Sequence, residues 1–263
     1  MFKKLMRSAG ATVLAGGLLA SGALVAAPAQ AVPTAPAAVA AATTAAKPFT
    51  STKMATGYKA ITVSSKGCRY NDFALLGEWN IGEAVSVSAK TDLYRGSKKV
   101  TTIKLDNRMS GTAKLCPKSS SQRFGSYSLG GTTISVVVPV RNANNQWDGH
   151  TTKTITWRDN RKASFTMKGA IDGSLYGKRY GSKKTFSAKL RYFSDKSQKW
   201  VTYNPSGAKL QYKSGSKWKN LKSLKFKSGK ASYSLRSSKK YYYRVYVPAK
   251  SYAIGGATRG FKL

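Results

Sequence analysis

Short alternations of apolar and polar residues dominate the chain from Ala60 onward. Alternation with a period of two is typical of a strand that buries one face, and no segment shows the 3.6-residue apolar spacing of an amphipathic helix. Gly, Ser, Asn and Asp, which favour turns, separate the alternating runs. The sequence therefore predicts an all-β protein.

The first part of this pattern predicts six short strands, at 60–64, 84–89, 100–105, 112–116, 134–140 and 152–157. Short strands joined by turn-rich segments fit a β-sandwich. We therefore expect residues 52–161 to form a first sandwich domain.

The alternation is clearer in the second part of the chain. Phe186, Ala188 and Leu190 alternate with polar or charged residues, and so do the apolar residues of 208–213. Ser214-Gly215-Ser216 predicts a hairpin turn into the next strand, and Pro248 ends the last predicted strand, 241–247. Residues 162–263 are predicted as a second sandwich, because about 100 residues suffice for a separate core.

Residues 1–31 have the pattern of a secretory signal peptide. Lys3, Lys4 and Arg7 precede an uncharged apolar run, and Ala29-Gln30-Ala31 supplies small residues for cleavage. The run is short for the ~20 apolar residues that span a bilayer, so no membrane span is expected in the mature form. Residues 32–51 are rich in Ala, Pro and Thr and predict a flexible tether, with the folded part beginning near Thr52. The prediction is a secreted protein that acts outside the cell.

The chain has two cysteines, Cys68 and Cys116. In an exported protein such a pair predicts one disulfide, which would stabilise the fold by roughly 3 to 4 kcal/mol by restricting the unfolded chain. Zinc ligation is a poor alternative, because two thiols and one distant His lack a recognisable zinc-ligand spacing.

Trp79 lies eleven residues after Cys68, and the order Cys, Trp, Cys resembles the core of immunoglobulin domains, in which the indole packs on a disulfide between the two sheets. The resemblance is partial. Lys114 stands where that fold has its corner Tyr, and the interval between the cysteines is short.

The second half resembles a family of secreted actinobacterial proteins built from immunoglobulin-like β-sandwich modules. The segments that carry this resemblance are Gly181–Leu190, Ala208–Tyr212, Lys217–Leu221, Gly229–Tyr233 and Tyr242–Val245; in the first half, Leu115–Pro117 and Gly125–Leu129 resemble the module that often precedes it. The resemblance implies two tandem immunoglobulin-like β-sandwich domains and export. It transfers no catalytic residue, since members of the family mostly lack an assigned activity.

Charge is distributed unevenly along the chain, which has 46 Lys and Arg against 9 Asp and Glu and a formal net charge of +37. Residues 162–263 contain 25 of the basic residues and only two acidic ones, whereas residues 48–161 contain 17 basic and 7 acidic residues. A surface that serves only solubility would mix both signs. The second domain is therefore predicted to carry the electrostatic function of the protein.

Strand alternation places basic side chains of the second domain opposite its aromatic core positions, with Tyr242 and Tyr246 beside Arg244. Interleaved cations and phenol rings suit phosphate or uronate oxygens together with sugar or base faces. The predicted binding residues are Lys189, Arg191, Lys209, Lys213, Lys217, Lys219, Lys225, Lys227, Tyr242, Arg244 and Tyr246.

These residues predict a non-enzymatic protein that binds polyanions electrostatically, with an affinity that falls as salt rises. In the Gram-positive setting that the family resemblance implies, we expect the protein to be extracellular or loosely associated with the cell wall. An anionic cell-wall polymer or acidic polysaccharide is then the first candidate partner, and extracellular DNA, bound non-specifically, is another. In the alternative hypothesis the first domain recognises a specific protein or sugar, as a secreted inhibitor or toxin-complex component would, while the basic domain retains it at the surface. The oxygen-rich loop 142–148, which includes Trp147, is the candidate contact for that role.

No enzyme, metal or cofactor is predicted. His150 is the single histidine and lies beside Asp148-Gly149, but the chain lacks the Gly-x-Ser-x-Gly frame of a common Ser-His-Asp site. The aspartates of the first domain are scattered singly, unlike those of a calcium loop.

Overall fold

The computed structural model describes residues 47–80 and 84–263. Within these ranges the regular structure consists of β-strands in four sheets and one single-turn 3-10 helix, Ser120–Gln122. The prediction of an all-β protein is confirmed, and the paired sheets have the arrangement of a β-sandwich. The predicted signal peptide and residues 32–46 of the predicted tether lie outside the described residues.

Two sheets are formed by the first half of the chain. Sheet A has the order β1-β3-β6, and sheet B has the order β2-β9-β7-β4-β5, with β8 paired to β7. The strands are β1 Phe49–Thr56, β2 Ala60–Val63, β3 Arg69–Trp79, β4 Ser86–Arg95, β5 Lys98–Leu105, β6 Ser110–Leu115, β7 Gly125–Arg141, β8 Trp147–Asp159 and β9 Ser164–Gly169.

A first core fills the space between sheets A and B. Phe73 of β3 lies 5.8 Å from Phe165 of β9, measured between ring centroids, and Phe165 stacks on Tyr127 of β7 at 5.0 Å. All three rings are buried, so both sheets contribute to one apolar cluster. The folded part begins before Thr52, because Phe49 is buried in this core and pairs with Trp79 across β1 and β3.

The second half forms sheet C, ordered β10-β11-β12 with β15 also paired to β11, and sheet D, ordered β14-β13-β16-β17 with β18 also paired to β16. The strands are β10 Ile171–Tyr180, β11 Lys183–Ser194, β12 Lys199–Thr202, β13 Lys209–Ser214, β14 Lys217–Ser223, β15 Lys230–Arg236, β16 Tyr242–Val247, β17 Gly256–Ala257 and β18 Phe261–Lys262.

A second core lies between sheets C and D. Phe186 of β11 and Tyr243 of β16 are both buried, with their ring centroids 4.8 Å apart. The hairpin predicted at Ser214-Gly215-Ser216 joins β13 to β14, and Gly215 adopts a positive φ of 60°. The segment 224–226, between β14 and β15, is not a strand, although its Leu224 is buried.

The two halves meet at a joint. The sheets of the first half continue past the predicted boundary between residues 161 and 162. Strand β9 pairs with β2 and β7, so the sheets of the first half extend to Gly169. Phe193, at the end of β11, is buried in the first core, and its N–H donates to the Ala170 carbonyl at 2.9 Å. Among the described residues, from 47 onward, both halves belong to one compact unit.

Candidate functional site

The disulfide prediction is confirmed, since Cys68 and Cys116 are bonded to each other. Cys68 directly precedes β3 and Cys116 directly follows β6, and these strands are neighbours in sheet A. The bond therefore joins adjacent strands of one sheet. In the immunoglobulin core, by contrast, the disulfide crosses between sheets.

Trp79 does not pack on this disulfide. It ends β3, so the rise along the strand places it roughly 35 Å from Cys68. Its ring lies 5.0 Å from that of Phe49 and is 39% exposed. The Cys-Trp-Cys order therefore does not produce the immunoglobulin arrangement, in which the indole packs on the disulfide.

Lys189 and Arg191 are exposed on the outer face of sheet C, opposite the buried Phe186, Ala188 and Leu190. Residues directly paired across strands share a face, which adds further cations that the sequence reasoning missed. These are Lys230 beside Lys189, Lys178 beside Thr185, and Lys183 beside Arg236.

A shallow hollow of about 460 Å³ lies on this face, lined by Lys189, Arg191 and Lys230 among others. Asp172 also lines it, and its carboxylate accepts a hydrogen bond from Arg191 Nε at 2.6 Å. The guanidinium of Arg191 lies 5.3 Å from the ring centre of Trp200. Arg191 is thus partly neutralised, whereas the two lysines have no ion-pair partner among the residues that the structure describes.

The outer face of sheet D carries Lys209, Lys213, Tyr242, Arg244 and Tyr246. Lys213 and both tyrosines are exposed, and Lys209 and Arg244 are half-buried. No Asp or Glu occurs in the sequence after Asp195, so no side-chain carboxylate from these strands neutralises the face.

Arg244 is held in a defined orientation on this face. Its guanidinium carbon lies 4.1 Å from the ring centre of Trp218, and its Nε donates to Gln211 Oε1 at 2.8 Å. Gln211 Nε2 in turn donates to Asn220 Oδ1 at 2.9 Å. Neither Trp218 nor Gln211 was predicted as a site residue. The hairpin turn could have indicated Trp218, because it pairs this residue with Lys213 and so places it on the same outward face.

Four other predicted cations do not lie on this face. Lys217 and Lys219 pair with Ser214 and Tyr212, so they leave β14 on the side of the core and are exposed because β14 is an edge strand. Lys225 and Lys227 are exposed in the connection between β14 and β15.

The eleven predicted residues therefore do not form one surface. Sheets C and D pack against each other through the second core, so their outer faces point in opposite directions. Alternation shows which side chains of a strand point outward, but it does not show to which sheet the strand belongs.

One basic residue of β11 contributes nothing to either face. Lys184 is fully buried, and its Nζ donates to the Lys239 carbonyl, to the Leu263 carbonyl at 3.1 Å and to the Tyr243 hydroxyl at 3.2 Å. Burial, together with the charge of Arg179, lowers the pKa of Lys184. Lys184 therefore adds no charge to the outer face of sheet C or sheet D.

A further group of lysines lies beside the disulfide, at the joint between the halves. Lys66 and Lys118 from the first half and Lys196 and Lys199 from the second half line a cavity of about 410 Å³ with the two cysteines. These lysines are far apart in sequence, and only the fold brings them together.

The loop 142–148 uses its polar groups largely within itself. Asn142 Oδ1 accepts from the N–H groups of Asn144 and Gln146, and Trp147 Nε1 donates to the Thr151 carbonyl. The Thr151 hydroxyl, with backbone N–H groups, lowers the pKa of Asp148. The described residues contain no cluster of three or more potential metal ligands among His, Cys, Asp and Glu.

Comparisons with known proteins add no assignment. No protein-family model matches the chain, and a search of curated proteins finds no significant match. In the described ranges no helix has the length and apolar character needed to cross a membrane.

Proposed function

We propose that this protein is a secreted, non-enzymatic binding protein that associates electrostatically with anionic polymers through its second half. The candidate ligands are cell-wall polymers and acidic polysaccharides, with extracellular DNA as a non-specific ligand. The protein would act outside the cell or loosely bound to the wall.

The observation that carries this proposal is the excess of unpaired cations on the outer faces of sheets C and D. Residues 162–263 hold 25 Lys and Arg but only Asp172 and Asp195. Among the described residues, the ion pair between Arg191 and Asp172 is the one that involves this half. Asp195 is engaged elsewhere, since it accepts a hydrogen bond from the Phe124 N–H at 2.9 Å.

A polymer that carries many negative charges can bind such faces by displacing its counterions, without a specific pocket. The affinity should then fall linearly with the logarithm of salt concentration, with a slope set by the number of anionic groups contacted. The shallow hollow on the outer face of sheet C fits this mode of binding.

The architecture supports a further proposal about domain organisation. The presence of two cores, each between a pair of sheets, favours two tandem immunoglobulin-like sandwich domains like those of the secreted actinobacterial proteins that the second half resembles. The shared joint at Gly169 and Phe193 would then be a feature of this pair of domains.

The test is co-sedimentation of the mature protein with isolated cell walls over a salt series. One variant, Lys189→Glu with Lys230→Glu, changes two paired lysines of sheet C, and a second, Lys209→Glu with Lys213→Glu, changes two lysines of sheet D. The matched control, Lys90→Glu with Lys104→Glu, changes two exposed, directly paired lysines of the first half by the same charge.

Each second-half variant should weaken binding and reduce the salt slope by about two, because two contacts are lost. The control should remain close to the unchanged protein. Binding that does not depend on salt, or a control that loses as much as the second-half variants, would refute the proposal.

A further inference from the structure

The outer face of sheet D differs from an ordinary basic patch because its central cation is fixed between an indole and an amide. We propose, resting on the proposed function, that this face contains a subsite for a uronic acid unit of an acidic polysaccharide. Arg244 would bind the sugar carboxylate, and Tyr242 and Tyr246 would pack against neighbouring sugar rings.

The orientation of Arg244 is set before any ligand arrives. Trp218 supports one face of the guanidinium at 4.1 Å, and Gln211, which is 9% exposed, accepts from Nε at 2.8 Å. Asn220 fixes Gln211 in turn by accepting from its Nε2. The terminal nitrogens of Arg244 have no hydrogen-bond partner within the described residues, so the end of the planar fork is available for two parallel hydrogen bonds to a carboxylate.

The residues around Arg244 match a sugar acid better than a simple phosphate polymer. Tyr242 and Tyr246 lie two positions before and after Arg244 on β16, each roughly 7 Å along the strand, and they are 48% and 38% exposed. Aromatic faces offer apolar contact area to rings. A uronate polymer presents both carboxylates and ring faces, whereas polyphosphate presents charge alone.

Cations at the margin of the face extend the site along a polymer. Lys209 pairs with Tyr246, and Lys262 pairs with Tyr242, so a lysine lies beside each tyrosine. Neighbouring carboxylates of the same polymer would meet these lysines. The sheet C face lacks this arrangement, because Arg191 is already paired with Asp172.

The experiment compares the binding of two probes, polygalacturonate and polyphosphate, to the mature protein at fixed moderate salt by isothermal titration calorimetry. Arg244→Lys keeps the charge but removes the planar fork. Arg108→Lys makes the same exchange at an exposed position of the first half, in the turn between β5 and β6, and is the matched control. The thermal midpoint of each variant shows that it is folded.

We expect Arg244→Lys to weaken polygalacturonate binding by about tenfold, because lysine cannot make two parallel hydrogen bonds to one carboxylate. Arg108→Lys should leave both unchanged. Replacing Tyr242 and Tyr246 together by Ser should weaken polygalacturonate binding but change polyphosphate binding less than about twofold, because polyphosphate offers no ring faces.

Two results would overturn the subsite. Equal losses for both probes in the tyrosine variant would make this face a general anion contact, and polygalacturonate binding that is unchanged in Arg244→Lys would remove Arg244 from the interface. Neither result affects the proposed function, which fails separately if charge reversal on sheets C and D leaves salt-dependent wall binding intact.

Discussion

Replacement of Phe193 by Ala tests whether the two halves unfold together. Phe193 lies on β11 of sheet C, yet its ring is 2% exposed inside the first core and contacts Trp200 at 5.9 Å. Truncation of a buried Phe costs about 3–5 kcal/mol, a large part of the 5–15 kcal/mol that stabilises a typical domain. Phe186→Ala is the matched comparison, because Phe186 is equally buried on the same strand but faces the second core.

The assay is native-state hydrogen exchange read by mass spectrometry, with peptides from β7 reporting on the first half and peptides from β13 and β16 on the second. If the joint makes one cooperative unit, each variant should lower the opening free energy of the best-protected amides in both halves by the same amount. The reasoning is refuted if Phe193→Ala weakens β7 while β13 and β16 keep their original protection.

Two further predictions concern the interior. Replacing Cys68 and Cys116 together by Ser should lower the free energy of unfolding by about 4 kcal/mol, because the bond closes a loop with a sequence separation of 48; a urea midpoint unchanged from that of the parent protein would contradict this. For Lys184, burial holds the pKa in the folded state below the unfolded value of about 10.4, so the unfolded state binds more protons as the pH approaches that value, and this residue's contribution to stability rises with pH. In urea titrations the stability of the parent protein relative to Lys184→Met should therefore be greater at pH 10 than at pH 7, and a difference that stays constant would show that Lys184 titrates normally.

Local patterns predicted local structure well. The alternation through Phe186, Ala188 and Leu190 places them in a core, and Lys189 and Arg191 are exposed on the opposite face. Strand β10 was missed because two of its inward positions are Gly173 and Gly177 rather than large apolar residues. A Cβ at Gly173 would meet Leu190 at 2.3 Å, and one at Gly177 would meet Phe261 at 2.8 Å. The side chains of Leu190 and Phe261 therefore fill the places where β10 would otherwise show large apolar residues in the sequence.

The alternation of apolar and polar residues does not show which strands pair with one another. Phe165 and Met167 show the pattern of a buried strand whether β9 joins the first or the second half, and only the pairing with β2 and β7 decides. In the same way, Arg244 was predicted as outward, but its contacts with Trp218 and Gln211 depend on the register of three strands. The sequence therefore predicted Arg244 only as an exposed charge, and not as a guanidinium held in one orientation.

The back-to-back placement of the basic faces on sheets C and D sets the valence of the molecule. Packed sheets lie about 10 Å apart, and their outer faces look in opposite directions, so a stiff polymer that lies along one face leaves the other available. Under the proposed function each molecule can hold two polymer strands at once. It would then act as a non-covalent cross-link, which gathers anionic chains when protein and polymer are balanced and releases them when polymer is in excess.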